Sequence, residues 1–119
     1  MGPNYHDLAD GVNASSAALS QGAPEAMRGF KLLGKSAYAD GALSNKTKEL
    51  IALALSVASH CDGCVAYHAR RASALDATRN EVLETLAVAI QMGGGPSMVY
   101  GGEALRAFDA FQDQLQAVE

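Results

Sequence analysis

Residues 60–68 of this 119-residue chain read HCDGCVAYH and hold both of its cysteines, Cys61 and Cys64. Two cysteines at this spacing form either a redox dithiol or half of a metal site, because thiolates serve in both. His68 follows four residues after Cys64. On a helix, positions 61, 64 and 68 share one face. The pattern therefore predicts a small patch that combines two thiols with an imidazole.

The chemistry of this patch depends on its place on the helix. If the helix begins near residue 62, Cys64 lies in the first turn, where the partial positive charge of the N-terminus favours thiolate over thiol. His68, one turn further on, can accept or return the proton. A thiolate beside a general base is a prepared nucleophile, and Cys61 can resolve the covalent species that forms. The expected cycle runs from thiolate to sulfenic acid to intramolecular disulfide.

Glu49 is the one carboxylate within the most apolar stretch of the chain, residues 46–59. On an unbroken helix Glu49 and Cys61 would be about 18 Å apart, beyond hydrogen-bond reach. The polar residues 59–63 instead predict a reversal. In an antiparallel hairpin Glu49 would lie opposite a residue near position 71, closer to His68 than to either cysteine. We expect Glu49 to orient or charge the imidazole, because a buried carboxylate needs a partner.

The rest of the chain predicts five or six helices with short turns and no convincing strand, an all-α class. The boundary signals are Gly22 and Pro24 before a helix that ends at Asp40-Gly41, Ser44 or Asn45 as the cap of residues 46–59, a helix from about Asp62 to Ala74, a Thr78–Glu81 capping box for the next helix, and Gly93–Pro96 before a last helix from about Ser97.

Residues 1–22 are small and polar, which predicts a loosely attached arm or weak helix ahead of one domain, residues 23–119. Residues 46–59 are expected to form a central core helix. Two further expectations concern side-chain positions. The last helix should place Phe108, Phe111 and Leu115 on one side, and Arg70-Arg71 should face solvent or a subunit interface.

Charge and hydropathy limit the partners. The net charge is −4, and the basic residues are scattered, so no stripe could follow a phosphate backbone and nucleic acid is not expected. No segment has the length and apolar character needed to span a membrane or to act as a signal peptide, so we expect a cytoplasmic protein with no membrane partner. Several helices are apolar nearly all round, which predicts a homo-oligomer.

Taken together, these residues resemble the alkylhydroperoxidase D-like branch of the carboxymuconolactone decarboxylase family. The similarity runs through KTKELI at 46–51, the spacing from Glu49 to Cys61, the CDGC motif, His68, the helix at 78–89 and MGGGP at 92–96. The combined spacing of Glu, CxxC and His is the specific part.

The resemblance implies an oligomeric all-α fold, a trimer or hexamer, and thiol-dependent hydroperoxide reduction. By similarity, Cys64 becomes the sulfenic acid, Cys61 is the proton donor that resolves it, and Glu49 and His68 complete the proton relay. The implied substrate is a small hydroperoxide or a disulfide. An unidentified thiol donor would then re-reduce the Cys61–Cys64 pair, with no metal or organic cofactor. Decarboxylase members generally lack the CxxC, so lactone decarboxylation is not expected.

Two other functions are open from the sequence. Cys61, Cys64, His68 and Glu49 have the donor types that zinc accepts, although a structural zinc site usually gathers more sulfur. The chain could also be an oligomeric structural module whose CxxC is dispensable.

Overall fold

The computed structural model describes residues 3–118, with the side chains of residues 3–113. This part of the chain forms six helices and no strand, which confirms the all-α class. The helices are α1 (Tyr5–Gly22), α2 (Pro24–Tyr38), α3 (Asn45–Ala58), α4 (Asp62–Ala74), α5 (Arg79–Gly93) and α6 (Gly95–Val118).

Local capping chemistry explains most helix starts. Ser44 accepts a hydrogen bond from the backbone N–H of Thr47 at the start of α3, and Thr78 and Glu81 form the predicted reciprocal capping box of α5. The predicted bounds of α4 are confirmed. The last helix begins at Gly95, two residues earlier than expected.

The chain reverses after α3 through a left-handed residue. His60 has φ of 55°, the N–H of His60 donates to the Val57 carbonyl, and the N–H of Cys61 donates to the Ser56 carbonyl. This is the Schellman pattern that ends helices, with histidine in the place usually held by glycine. The reversal that was inferred from Glu49 is therefore present, and it delivers Cys61 directly to the start of α4.

Helix α4 lies at the centre, packed against α1, α3 and α6. Its small residues Ala66, Ala69 and Ala72 are fully buried, which lets the neighbouring helices approach closely. The prediction of a central core helix at residues 46–59 holds for one side only. The side chains of Ile51 and Leu55 on α3 are 45% and 62% exposed.

The N-terminal segment is a helix that contributes to the core. Ala9 is fully buried and Tyr5 nearly so, the Tyr5 hydroxyl donates to Glu103 on α6, and Asp10 pairs with Arg70 at 2.9 Å. Helix α1 is therefore held along its first half, although the domain boundary at residue 23 stays a prediction. Helix α2, in contrast, contains no buried residue.

Helix α6 places Phe108 and Phe111 in the core, as expected. The side chain of Leu115 lies outside the described residues. None of the described helices combines the length and the apolar character needed to cross a membrane.

Candidate redox site

Cys61 and Cys64 are joined by a disulfide, with their Cα atoms 5.2 Å apart. Cys61 is the N-cap of α4, and its Sγ accepts a hydrogen bond from the Cys64 N–H at 3.2 Å. The orphan donors at a helix start stabilise negative charge, so the same position would favour a thiolate at Cys61 after reduction. Both cysteines are half-buried and open to one cleft.

Gly63, between the cysteines, allows α1 to approach the redox turn. A Cβ at this position would lie 3.0 Å from Val12 Cγ2, tighter than ordinary van der Waals contact. The CDGC sequence thus combines two thiols with a small residue at the contact between α4 and α1.

Glu49 and His68 meet as the hairpin argument predicted. The His68 Nδ1 lies 2.7 Å from the Glu49 Oε1, and the Glu49 residue is only 3% exposed. An ionised carboxylate can only accept a hydrogen bond, so Nδ1 donates to it, and a neutral imidazole then keeps its lone pair on Nε2. The arrangement can fix the tautomer of His68 and stabilise the imidazolium that forms when Nε2 takes up a proton.

Arg71 also contacts the carboxylate, a role that the sequence analysis did not assign to it. Its Nε lies 3.5 Å from Glu49 Oε2, and its side chain is 41% exposed. Both arginines are partly exposed, as expected, and each also pairs with a carboxylate, Arg71 with Glu49 and Arg70 with Asp10 of α1. A subunit interface at these residues stays a prediction. The only sequence signal for Arg71 was its position opposite Glu49 in the hairpin.

Two tyrosines enclose the imidazole. Tyr38 of α2 stacks on His68 with ring centroids 6.0 Å apart, and Tyr67 meets it edge-on at 5.1 Å. Burial raises the pKa of Tyr38 above its ordinary value, and the Glu49 carboxylate and Tyr67 raise it further. Tyr38 therefore stays a neutral phenol beside the site. A role for either tyrosine was not predicted.

All four residues predicted to form the site, Cys61, Cys64, His68 and Glu49, line one open cleft of about 1200 Å³ between α1, α2, the start of α3 and one side of α4. Arg71, Tyr38 and Tyr67 line it as well. Within residues 3–118, no group of three or more His, Cys, Asp or Glu side chains is arranged to hold a metal ion.

Comparison with family models matches residues 24–112 to the carboxymuconolactone decarboxylase family. An uncharacterized protein of Cupriavidus necator is 46% identical over 99 residues, covering 83% of this chain and 88% of the relative. The uncharacterized protein 4 in the cox locus of Paracoccus denitrificans is 35% identical over 80 residues, covering 67% of this chain and 72% of that protein.

Two crystal structures share the fold. A carboxymuconolactone decarboxylase family protein from Legionella pneumophila, solved in its apo form, superposes with a TM-score of 0.88 at 46% identity, covering 91% of this chain and 96% of the other. A family protein from Thermotoga maritima, described as "possibly involved in antioxidative response", superposes with a TM-score of 0.83 at 26% identity, covering 95% and 96%.

Proposed function

Since this chain belongs to the carboxymuconolactone decarboxylase family, we propose that it is a thiol-dependent hydroperoxide reductase that uses Cys64 and Cys61 with His68 and Glu49 as a proton relay. The observation that carries the proposal is the joint placement of a Cys61–Cys64 disulfide and a buried Glu49–His68 pair in one open cleft. The description of the Thermotoga maritima relative as "possibly involved in antioxidative response" agrees with it.

In the proposed cycle, the Cys64 thiolate attacks the distal oxygen of a hydroperoxide. The O–O bond breaks, an alcohol leaves, and Cys64 becomes a sulfenic acid. Cys61 then attacks the Cys64 sulfur, which forms the disulfide and releases water. Two electrons pass from the two thiols to the peroxide, and an external thiol donor returns them by disulfide exchange.

His68 provides the proton transfers in this cycle. It lies one turn after Cys64 on α4, so it can take the thiol proton and return a proton to the leaving oxygen. Glu49 acts through His68 as a positioning residue, and its charge stabilises the imidazolium during each transfer. Cys61 at the N-cap is well placed to be the resolving thiolate, because it retains the amide donor of Cys64.

The first test is a thiol count and an intact mass of the reduced protein, before and after one equivalent of tert-butyl hydroperoxide. We expect rapid loss of both thiols and a mass about 2 Da lower. The Cys61→Ser variant should stop at the sulfenic acid, about 16 Da heavier, and the Cys64→Ser variant should not react. Thiols that stay intact in the wild type would refute the function, and reaction of Cys64→Ser but not Cys61→Ser would reverse the roles.

We also propose that the protein is a homo-oligomer in a reducing compartment such as the cytoplasm. Exposed apolar side chains occur on α3, α5 and α6, and α5 packs against both other helices. They are 45–78% exposed: Ile51, Leu55, Val88, Met92, Met98 and Val99. Such surfaces favour association.

A further inference from the structure

The cleft is much larger than the chemistry of a peroxide bond requires. Its volume of about 1200 Å³ exceeds the usual range of about 300–1,000 Å³ for sites that enclose drug-sized ligands. Tyr38 stacks on His68 at the redox end, and the lining continues along α2 to Met27. Eleven residues of helix correspond to about 16 Å of wall. The space fits a long molecule of which only one part lies at the cysteines.

The walls away from the cysteines carry apolar side chains that are exposed to solvent. Leu19 on α1 and Phe30 on α2 both line the cleft, yet they are 55% and 68% exposed. Val12, which contacts Gly63, continues this apolar surface toward the redox end. Covering such side chains removes apolar area from water and stabilises a complex. These walls favour a hydrocarbon chain over a polar substrate.

Two lysines on the same wall carry charge without an ionic partner. Lys31 and Lys35 are one turn apart on α2 and both line the cleft. Among the described residues neither pairs with a carboxylate, and the Lys31 Nζ contacts only the Ser20 hydroxyl, at 3.0 Å. In a chain of net charge −4, these free cations are complementary to an anionic group.

Position along the helix sets the order of the groups. Lys31 lies seven residues before Tyr38, about 10 Å along α2 from the redox end. Asp7, in the first turn of α1, lines the cleft at the opposite end of that helix from Ser20, the residue that Lys31 contacts. Its negative charge disfavours an anion at that end. An occupant with one carboxylate would therefore place the carboxylate at the lysines and its chain toward the cysteines.

We propose that the cleft binds long-chain fatty acids and that the substrate is a fatty-acid hydroperoxide with the peroxide in mid-chain. This inference rests on the proposed reductase activity for its second part only. The carboxylate pairs with Lys31 and Lys35, and the first carbons of the chain cover Leu19 and Phe30 beside Lys31. The rest of the chain continues past Val12 toward the cysteines. The peroxide then meets Cys64, where it is reduced to the alcohol while Cys61 and Cys64 are oxidised to the disulfide and one water is released.

Binding is tested without chemistry, by calorimetric titration of linoleate below its micelle concentration into the disulfide form of the full chain. The variants are Lys31→Gln/Lys35→Gln and, as a matched control, Lys46→Gln, whose lysine pairs with Glu81 outside the cleft. We expect the double variant to bind linoleate roughly tenfold more weakly and the control to bind as the wild type does. The methyl ester should show no dependence on the two lysines.

The substrate assignment is tested by thiol oxidation rates with linoleic acid hydroperoxide, its methyl ester and tert-butyl hydroperoxide. We expect the acid to react fastest and to be the only peroxide slowed in the double variant. Equal rates for all three peroxides would overturn the substrate assignment while leaving the reductase function intact. Lysine-dependent binding of linoleate without thiol oxidation would refute the reductase and keep the fatty-acid site. If linoleate does not bind, the fatty-acid site itself is overturned. This holds also when the reason is that a second copy of the chain covers the cleft.

Discussion

Replacing Glu49 by Gln tests the proton relay most directly. Glutamine keeps the shape of the side chain and an oxygen that accepts from His68 Nδ1, but it removes the charge that faces both His68 and Arg71. Breaking a fully buried ion pair costs about 3–5 kcal/mol. Here the Arg71 side chain is 41% exposed and its Nε lies 3.5 Å from Glu49 Oε2, so solvent compensates part of the lost interaction. We expect the free energy of unfolding to fall by only about 1–2 kcal/mol.

The effect on chemistry should be larger than the effect on folding. General acid–base catalysis contributes about 10²–10⁴-fold, and Glu49 acts through His68 rather than on the thiol. We therefore expect Glu49→Gln to slow oxidation of Cys64 by roughly 10–100-fold, measured by stopped-flow with tert-butyl hydroperoxide. Glu84→Gln, an exposed carboxylate on α5, is the matched control and should retain the wild-type rate.

Tyr38 gives an independent readout of the Glu49 charge. The carboxylate is one cause of the raised pKa of Tyr38, after burial. In Glu49→Gln the pKa of Tyr38 should fall toward its ordinary value, which NMR of ring-labelled tyrosine can follow. A wild-type oxidation rate in Glu49→Gln would refute the relay. An unchanged pKa of Tyr38 together with a slow rate would mean that the slow rate comes from the altered hydrogen bond to His68 rather than from the lost charge.

Three further predictions concern stability and assembly. Gly93→Ala would place a Cβ 2.8 Å from the Ser97 Cβ and closer still to its Oγ, so it should lower the free energy of unfolding, measured in urea, by about 1–3 kcal/mol. Gly102→Ala is the control: its Cβ would meet no atom within 4 Å, so it should not destabilise the protein. Asp76→Gly should raise the free energy of unfolding by about 0.5–1 kcal/mol and so raise the melting temperature, because Asp76 has φ of 63° at the end of α4. A lower melting temperature would contradict this reasoning. Light scattering should give a mass several times the 12.3 kDa of one chain, and Leu55→Glu should reduce it; a wild-type particle of monomer mass would refute the oligomer.

The helix boundaries and the chain reversal of this protein follow from sequence signals that are local in the chain. The bounds of α4 and the Thr78–Glu81 capping box depend on residues within one turn of each other, so the sequence alone indicates them. The approach of Glu49 to His68 was predictable for a similar reason. A short polar segment forces the reversal, and helix geometry then fixes which positions face each other.

Tertiary structure decided which helix faces are buried and which side chains of α2 reach the site. Leu53 and Leu55 on α3 are alike in sequence, yet Leu53 is fully buried and Leu55 is 62% exposed, because burial depends on which neighbouring helix covers each face. Tyr38 joined the site for the same reason. Its side chain reaches His68 only because α2 lies along the same cleft as α4, and such a contact between distant segments leaves no periodic trace in the sequence.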